Sequence, residues 1–271
     1  MFRLMFSDAR LPDLATLQTN KPHTADQIIF ILLLCILARV HLEFQFFYRK
    51  KELRDVLLDD SEYHPTRPGV IVPSKSRSTT SGILVKDEAG ATYMTVASHG
   101  SPDEEVEVYH PDPNGKVIGR VVDRIGDTDI ALVKLRHDIQ FENRTFKSDE
   151  EPAGVWFKTI KDLFQMRRYD KIAMDNSFTG LIDGQYIAVA MQRIRDTDST
   201  KHLWVEQNWL WFGQDPAKVP REGSCGSAIY DEDGDVIAFF RFFSDDEGFG
   251  IGVAAQELLR VGYTPVVSTG R

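Results

Sequence analysis

Cysteine is scarce in this sequence: the 271 residues hold two, Cys35 and Cys225, in settings that share nothing. A disulfide framework is thereby disfavoured, and the reducing cytoplasm or nucleus is the expected compartment. A signal peptide is missing too, because residues 1–27 mix Arg, Asp, Lys and His throughout, which argues for an intracellular protein. A surplus of basic charge is absent. With a formal net charge of −9, coating nucleic acid is excluded as the main activity, since phosphate binding needs excess Lys and Arg. The seven histidines are scattered and neither cysteine has a C-x-x-C or H-x-x-x-H companion, so neither a metal nor any other cofactor is expected. Gly-rich phosphate loops and a β-α-β rhythm are lacking; the glycines at 248, 250 and 252 fall on an expected strand. A long apolar run is lacking as well. Residues 28–38 form an unbroken apolar stretch that stops at Arg39, well short of the roughly 20 residues a spanning helix needs. The segment 28–47 reads as a buried or partner-covered helix with a strand-like tail, or as an interfacial membrane contact.

What is present is apolar content of 42%, enough for a sizeable core. From about residue 68 the texture becomes short β-rich runs between turn residues. Strands are expected at 69–73, 82–85, 92–97, 105–109, 116–122 and 129–135. A polar stretch at 136–154 reads as a solvated connection. Further strands are expected at 169–174, 186–194, 202–212, 227–230, 235–243 and 249–254, with a tight turn at 231–234 and a short helix at 254–260. The outline is all-β: a partly helical extension over 1–66, a β-barrel over 67–145, and a second barrel with the terminal helix over 146–271.

Three short motifs carry the chemistry. The run Tyr93-Met94-Thr95-Val96-Ala97-Ser98-His99 is a buried strand ending in small residues and a histidine, which alone would pass for a surface loop residue. Next, Asp129-Ile130-Ala131-Leu132 sets an aspartate at the start of an apolar strand, where aspartate is commonly a turn former. Finally, Gly223-Ser224-Cys225-Gly226-Ser227 places a small nucleophile between glycines ahead of a strand. Each is weak alone, and their order makes them strong.

In that order the motifs resemble those of chymotrypsin-like peptidases, T-A-A-H, D-I-A-L and G-D-S-G-G. The string around Cys225 is similar to the branch with a cysteine nucleophile, as in picornaviral and coronaviral main proteases. The overall texture resembles predicted intracellular trypsin-like peptidase-domain proteins of fungi. The resemblance covers about 68–262 and implies a chymotrypsin-like double β-barrel. It implies a triad of His99, Asp129 and Cys225, with oxyanion donors at the Gly223 and Cys225 amides. A thiol attacks as thiolate, so it needs a neighbouring imidazole to take its proton, and a carboxylate to orient that ring. Ser224 replaces an aspartate that pairs with a freshly cut amino terminus in trypsin-like zymogens, so activation by that route is not implied. The base of the specificity pocket would lie at Val219, and the strand containing Arg241 and Phe242 resembles the one that pairs with substrate backbone. For Arg241 three placings stay open: paired with Asp129, against an acidic substrate group, or in solvent.

Two functions of different class follow. One is a cysteine endopeptidase acting on a protein or peptide substrate through a thioacyl intermediate. The other is a catalytically inactive binding or scaffold module on the same fold, including one governed through residues 28–47.

Overall fold

β-Branched and aromatic side chains dominate the runs bounded by turn residues, and those runs pair as strands. The computed structural model describes residues 58–126, 128–145, 154–195, 202–211, 219–244 and 248–267, with the side chains of 163, 190–195 and 202–211 excepted. All of them belong to one compact unit, Lys50–Arg271. The expectations for residues 28–47, and for the extension as far as residue 57, lie outside the described residues.

The first group of strands is β1 (Ser81–Lys86), β2 (Thr92–Ala97), β3 (Glu107–His110), β4 (Lys116–Arg124) and β5 (Ile130–Leu135). The second is β6 (Lys171–Asn176), β7 (Gly180–Arg195), β8 (His202–Trp211), β9 (Ala228–Asp231), β10 (Val236–Ser244) and β11 (Phe249–Ala254). Helix α1 (Gln256–Arg260) and the two-residue β12 (Thr264–Pro265) close the chain. Sheet order is β12-β1-β2-β5-β4-β3 in the first sheet, and β10-β11-β8-β7-β6-β9 close into a barrel in the second. The molecule is thus an all-β double barrel. Strand β12 returns across the molecule and pairs with β1, Val85 opposite Pro265.

Alternation along single strands explains how the two halves join. Leu84 points into the first sheet's interior, with Met94, Val96, Ala131 and Val133. Its neighbours Ile83 and Val85 face the other way, into a core shared with Tyr230, Val236, Phe239, Val253 and Leu258 of the second half. Strand β5 does the same with Ala131 and Val133 on one face and Ile130 and Leu132 on the other. Strands covered on both faces must read as unbroken apolar runs, which is why Ile130-Ala131-Leu132-Val133 shows no polar alternation. Burying a side chain such as Ile83, which has no exposed surface, contributes about 2 kcal/mol. The shared core therefore fixes the barrels against each other and defines the seam where the motifs meet.

Two expected strands differ. Residues 69–73 form only an isolated bridge, Ile71 to Thr80, although Gly69, Val70 and Val72 still hydrogen-bond to Ser81 and Thr79. Strand β7 begins at Gly180 rather than 186 and pairs from there with β6. Glycines at 180 and 184 interrupt the apolar pattern that would have announced it.

Candidate active site

Register brings the first two motifs together. Strands β2 and β5 pair with Ala97 opposite Ile130, and the next rung joins the Ser98 amide to the Asp129 carbonyl at 2.9 Å. His99 follows on a 3-10 turn, Ser98–Gly100. Asp129 sits at φ 63°, a left-handed conformation that costs an aspartate on the order of 1 kcal/mol. There its carboxylate accepts the His99 backbone N–H at 2.9 Å. It also accepts the His99 ring, whose Nδ1–H donates at 2.7 Å to Oδ2 and 3.0 Å to Oδ1. A carboxylate can only accept here, so the ring proton is on Nδ1 and Nε2 faces away from Asp129.

Two guanidiniums hold the turn from outside. Arg77 Nη1 donates to the His99 carbonyl at 2.7 Å. Arg124 Nη1 reaches the Ser98 carbonyl at 3.0 Å and Ser98 Oγ at 2.7 Å, its Nη2 reaches the Ser101 carbonyl, and it pairs with Asp103 at 3.2 Å. These charge-assisted bonds stop the turn from unwinding. Arg77, His99, Asp103, Glu104 and Arg124 line an open cavity of about 430 Å³.

The third motif arrives from the second barrel. The turn before β9 is closed by Ser224 N–H to Arg221 carbonyl, 3.0 Å, and Gly226 N–H to Phe240 carbonyl, 2.8 Å. It is pinned to the first sheet by Thr80, whose N–H donates to the Cys225 carbonyl at 2.9 Å. Thr80 Oγ1 lies 3.0 Å from the carbonyl oxygens of Ser224 and Cys225 and 2.7 Å from Ser227 Oγ. Ser227 in turn donates to the Ser224 carbonyl at 2.7 Å. Thr80, Ser224 and Ser227 have no exposed surface. Gly226 stands at φ 92°, and a Cβ there would lie 2.5 Å from the Thr80 carbonyl oxygen and 2.9 Å from the Ala97 amide. Only glycine allows so close an approach between the halves.

Cys225 is a free, half-buried thiol. It donates to the Arg241 carbonyl at 3.1 Å. It also acts on His99, whose pKa is raised from 6.5 to about 10 by the hydrogen bond to Asp129 first and by Cys225 second, against the opposing effect of burial. Neither the Gly223 nor the Cys225 amide donates to any acceptor among the described residues. Gly223 is at φ 94°, and the Phe178 ring covers the side where a Cβ would project, at 2.4 Å. Arg241 Nε lies 3.5 Å from Asp129 Oδ2, the first of the three placings left open by the sequence.

No family model matches the sequence, and no curated protein matches it. Solved structures do. A glutamic-acid-specific serine protease aligns with a TM-score of 0.58 at 15% identity, over 74% of this chain and 100% of its own. Thermobifida fusca protease A aligns at 0.53 and 12%, over 74% and 98%. Cellulomonas bogoriensis chymotrypsin aligns at 0.52 and 12%, over 75% and 99%. At such identities the likeness establishes the fold: this is the double β-barrel of the chymotrypsin-like serine proteases.

Of the residues singled out in the sequence, His99 and Asp129 are in contact, and Cys225, Gly223 and Arg241 converge on the same seam. Val219, half-buried, and Phe242, 56% exposed, have no hydrogen bond or ion pair to that group. Thr80, Arg77, Arg124 and Phe178 were not anticipated, and Ser227 stood in the third motif without a role. The only signal for Thr80 is its place in the polar run from Arg77 to Ser81, which reads as a loop. A set of three carboxylates, Asp231, Asp233 and Asp235, lies at the far end of β9 from Cys225, with ligand atoms within 4.8 Å of one another. It serves the turn: Asp231 takes the Lys161 ammonium and accepts the Asp233 and Asp235 amides at 3.1 and 2.9 Å.

Proposed function

We propose that the protein is a cysteine endopeptidase of the chymotrypsin fold, with Cys225 as nucleophile, His99 as proton carrier, Asp129 as orienting carboxylate, and the Gly223 and Cys225 amides as oxyanion donors. The observation that carries this reading is the convergence at the seam: a partly exposed thiol, a ring whose pKa that thiol helps to raise, and a carboxylate that holds the ring by Nδ1. With the thiol proton on His99, the sulfur attacks the peptide carbonyl carbon and the oxyanion forms facing the two amides. The imidazolium then passes its proton to the departing amine as the C–N bond breaks, leaving a thioester. Water, deprotonated by His99, hydrolyses that thioester, releasing the acid and returning the thiol. No cofactor enters.

A peptide substrate suits the seam. Beyond Phe240, β10 is paired with β11 on one side, and among the described residues no strand pairs with its other side. An extended peptide adding there would take up main-chain hydrogen bonds, with Arg241 and Phe242 beside it. Val219 would border the side-chain pocket.

A second reading has one observation in its favour: the Cys225 thiol donates to the Arg241 carbonyl, an arrangement that suits a neutral sulfur in an inactive peptide-binding module. Labelling with iodoacetamide near pH 7 separates the two. An activated thiol labels fast at Cys225 and slows about 100-fold in His99→Ala; equal rates in both proteins would remove the case for chemistry and leave the binding module.

A further inference from the structure

Arg241 touches both ends of the catalytic line. Its carbonyl receives the Cys225 thiol at 3.1 Å, and its Nε lies 3.5 Å from Asp129 Oδ2. The two contacts are possible together because the β10–β11 register shifts between Phe240 and Phe242, leaving Arg241 at a bulge that re-aims its side chain. The Asp129 carboxylate, 8% exposed, thus faces the His99 amide, the His99 ring and a guanidinium that never loses its charge.

We propose that Arg241 is a positioning residue which anchors the Asp129 carboxylate and, as a permanent cation beside it, limits how tightly that carboxylate holds the proton of His99. Two cations share one anion, so each weakens the other's interaction with it. The consequence matters to a ring that must give its proton away. A site holding the imidazolium too firmly cannot deliver a proton to a leaving amine, and Arg241 pulls in the opposite direction. The remaining titratable or charged groups facing His99 are Cys225 on one side and Arg77, Arg124, Asp103 and Glu104 around the cavity on the other. None of them is altered by a substitution that changes only the guanidinium. The inference rests on the peptidase reading for its purpose, though the arrangement of charge does not depend on it.

The test is an NMR titration of the His99 ring carbon-bound protons in the full chain, comparing the parent with R241K and R241Q. The expected result is a midpoint in R241Q higher than the parent by about one pH unit, with R241K close to the parent because the charge is kept. Identical midpoints in all three, or R241K moving as far as R241Q, would overturn the proposal. Should R241Q fail to fold, the Arg241 Nε–H resonance is compared between the parent and D129N: a shift supports the contact, and an unchanged resonance refutes it. The outcomes separate cleanly from the peptidase test. If labelling of Cys225 ignores His99 while R241Q still moves the His99 midpoint, the peptidase reading falls and the charge coupling stands.

Discussion

The two halves of the site are held by different physics. On the first sheet, His99 and Asp129 are placed by charge: a carboxylate, an imidazole and three guanidiniums, Arg77, Arg124 and Arg241, with carbonyls between them. On the second barrel, the Cys225 turn is placed by shape and neutral hydroxyls, with Thr80, Ser224 and Ser227 all shut away from water. His99 is 43% exposed at its side chain, so the first half responds to pH and salt. The buried hydroxyls that brace the second should ignore both. In the proposed peptidase, a proton carrier would have to communicate with solvent, whereas an oxyanion-binding turn would have to keep its donors fixed.

The sharpest way to break this contrast is at Gly226. A side chain there meets backbone from the opposite half, the Thr80 carbonyl oxygen and the Ala97 amide, and the φ of 92° is unfavourable for any L residue. Gly226→Ala is expected to cost about 3 kcal/mol or more in urea unfolding, by the same amount at low and high salt. A loss under 1 kcal/mol would mean that the halves are not in fixed contact there.

Smaller effects compare the two braces directly. Thr80→Val keeps the shape and removes the hydroxyl that meets the Ser224 and Cys225 carbonyls and Ser227. About 2 kcal/mol should be lost, unchanged between 50 mM and 1 M salt. Arg124→Gln removes charge-assisted bonds on a side chain 28% exposed. It should cost about 1 kcal/mol at low salt and less at high salt. If the hydroxyl variant proved the salt-sensitive one, the division between a charged half and a neutral half would be wrong.

The same division explains what could be seen in the sequence. His99, Asp129 and Cys225 stood out because each ends or begins a strand in a recognisable string, and strand ends are local in sequence. Thr80, and the part Ser227 plays beside it, did not, because their 2.7 Å contact joins residues 147 apart and any buried hydroxyl would satisfy it equally well on paper. Arg124 is similarly invisible: it lies just past the strand expected at 116–122, and two of its partners are carbonyls, which every residue has. Arg241 was visible as a residue but not as a contact, since three partners were open until the bulge in β10 aimed it at Asp129. Most strands were legible as short β-rich runs between turn residues. The front of β7 was hidden by its glycines, and β12 is too short to carry a pattern.

The mildest test concerns pH. His99 titrates at 6.5 when unfolded and at about 10 when folded, so the folded state binds its proton more tightly. The stabilisation from this group is complete below pH 6.5 and fades as pH rises from there through about 10. The parent should therefore lose stability across that window, and His99→Gln, having no proton to lose, should lose less. The difference should be modest because the ring is partly in water and its interactions are screened. Thr80→Val, which alters only neutral groups, should keep the parent's slope while lying below it at every pH. Urea unfolding of the three proteins at pH 6, 8 and 10 checks this, and parallel curves for parent and His99→Gln would show that the charged half contributes no proton-linked stability.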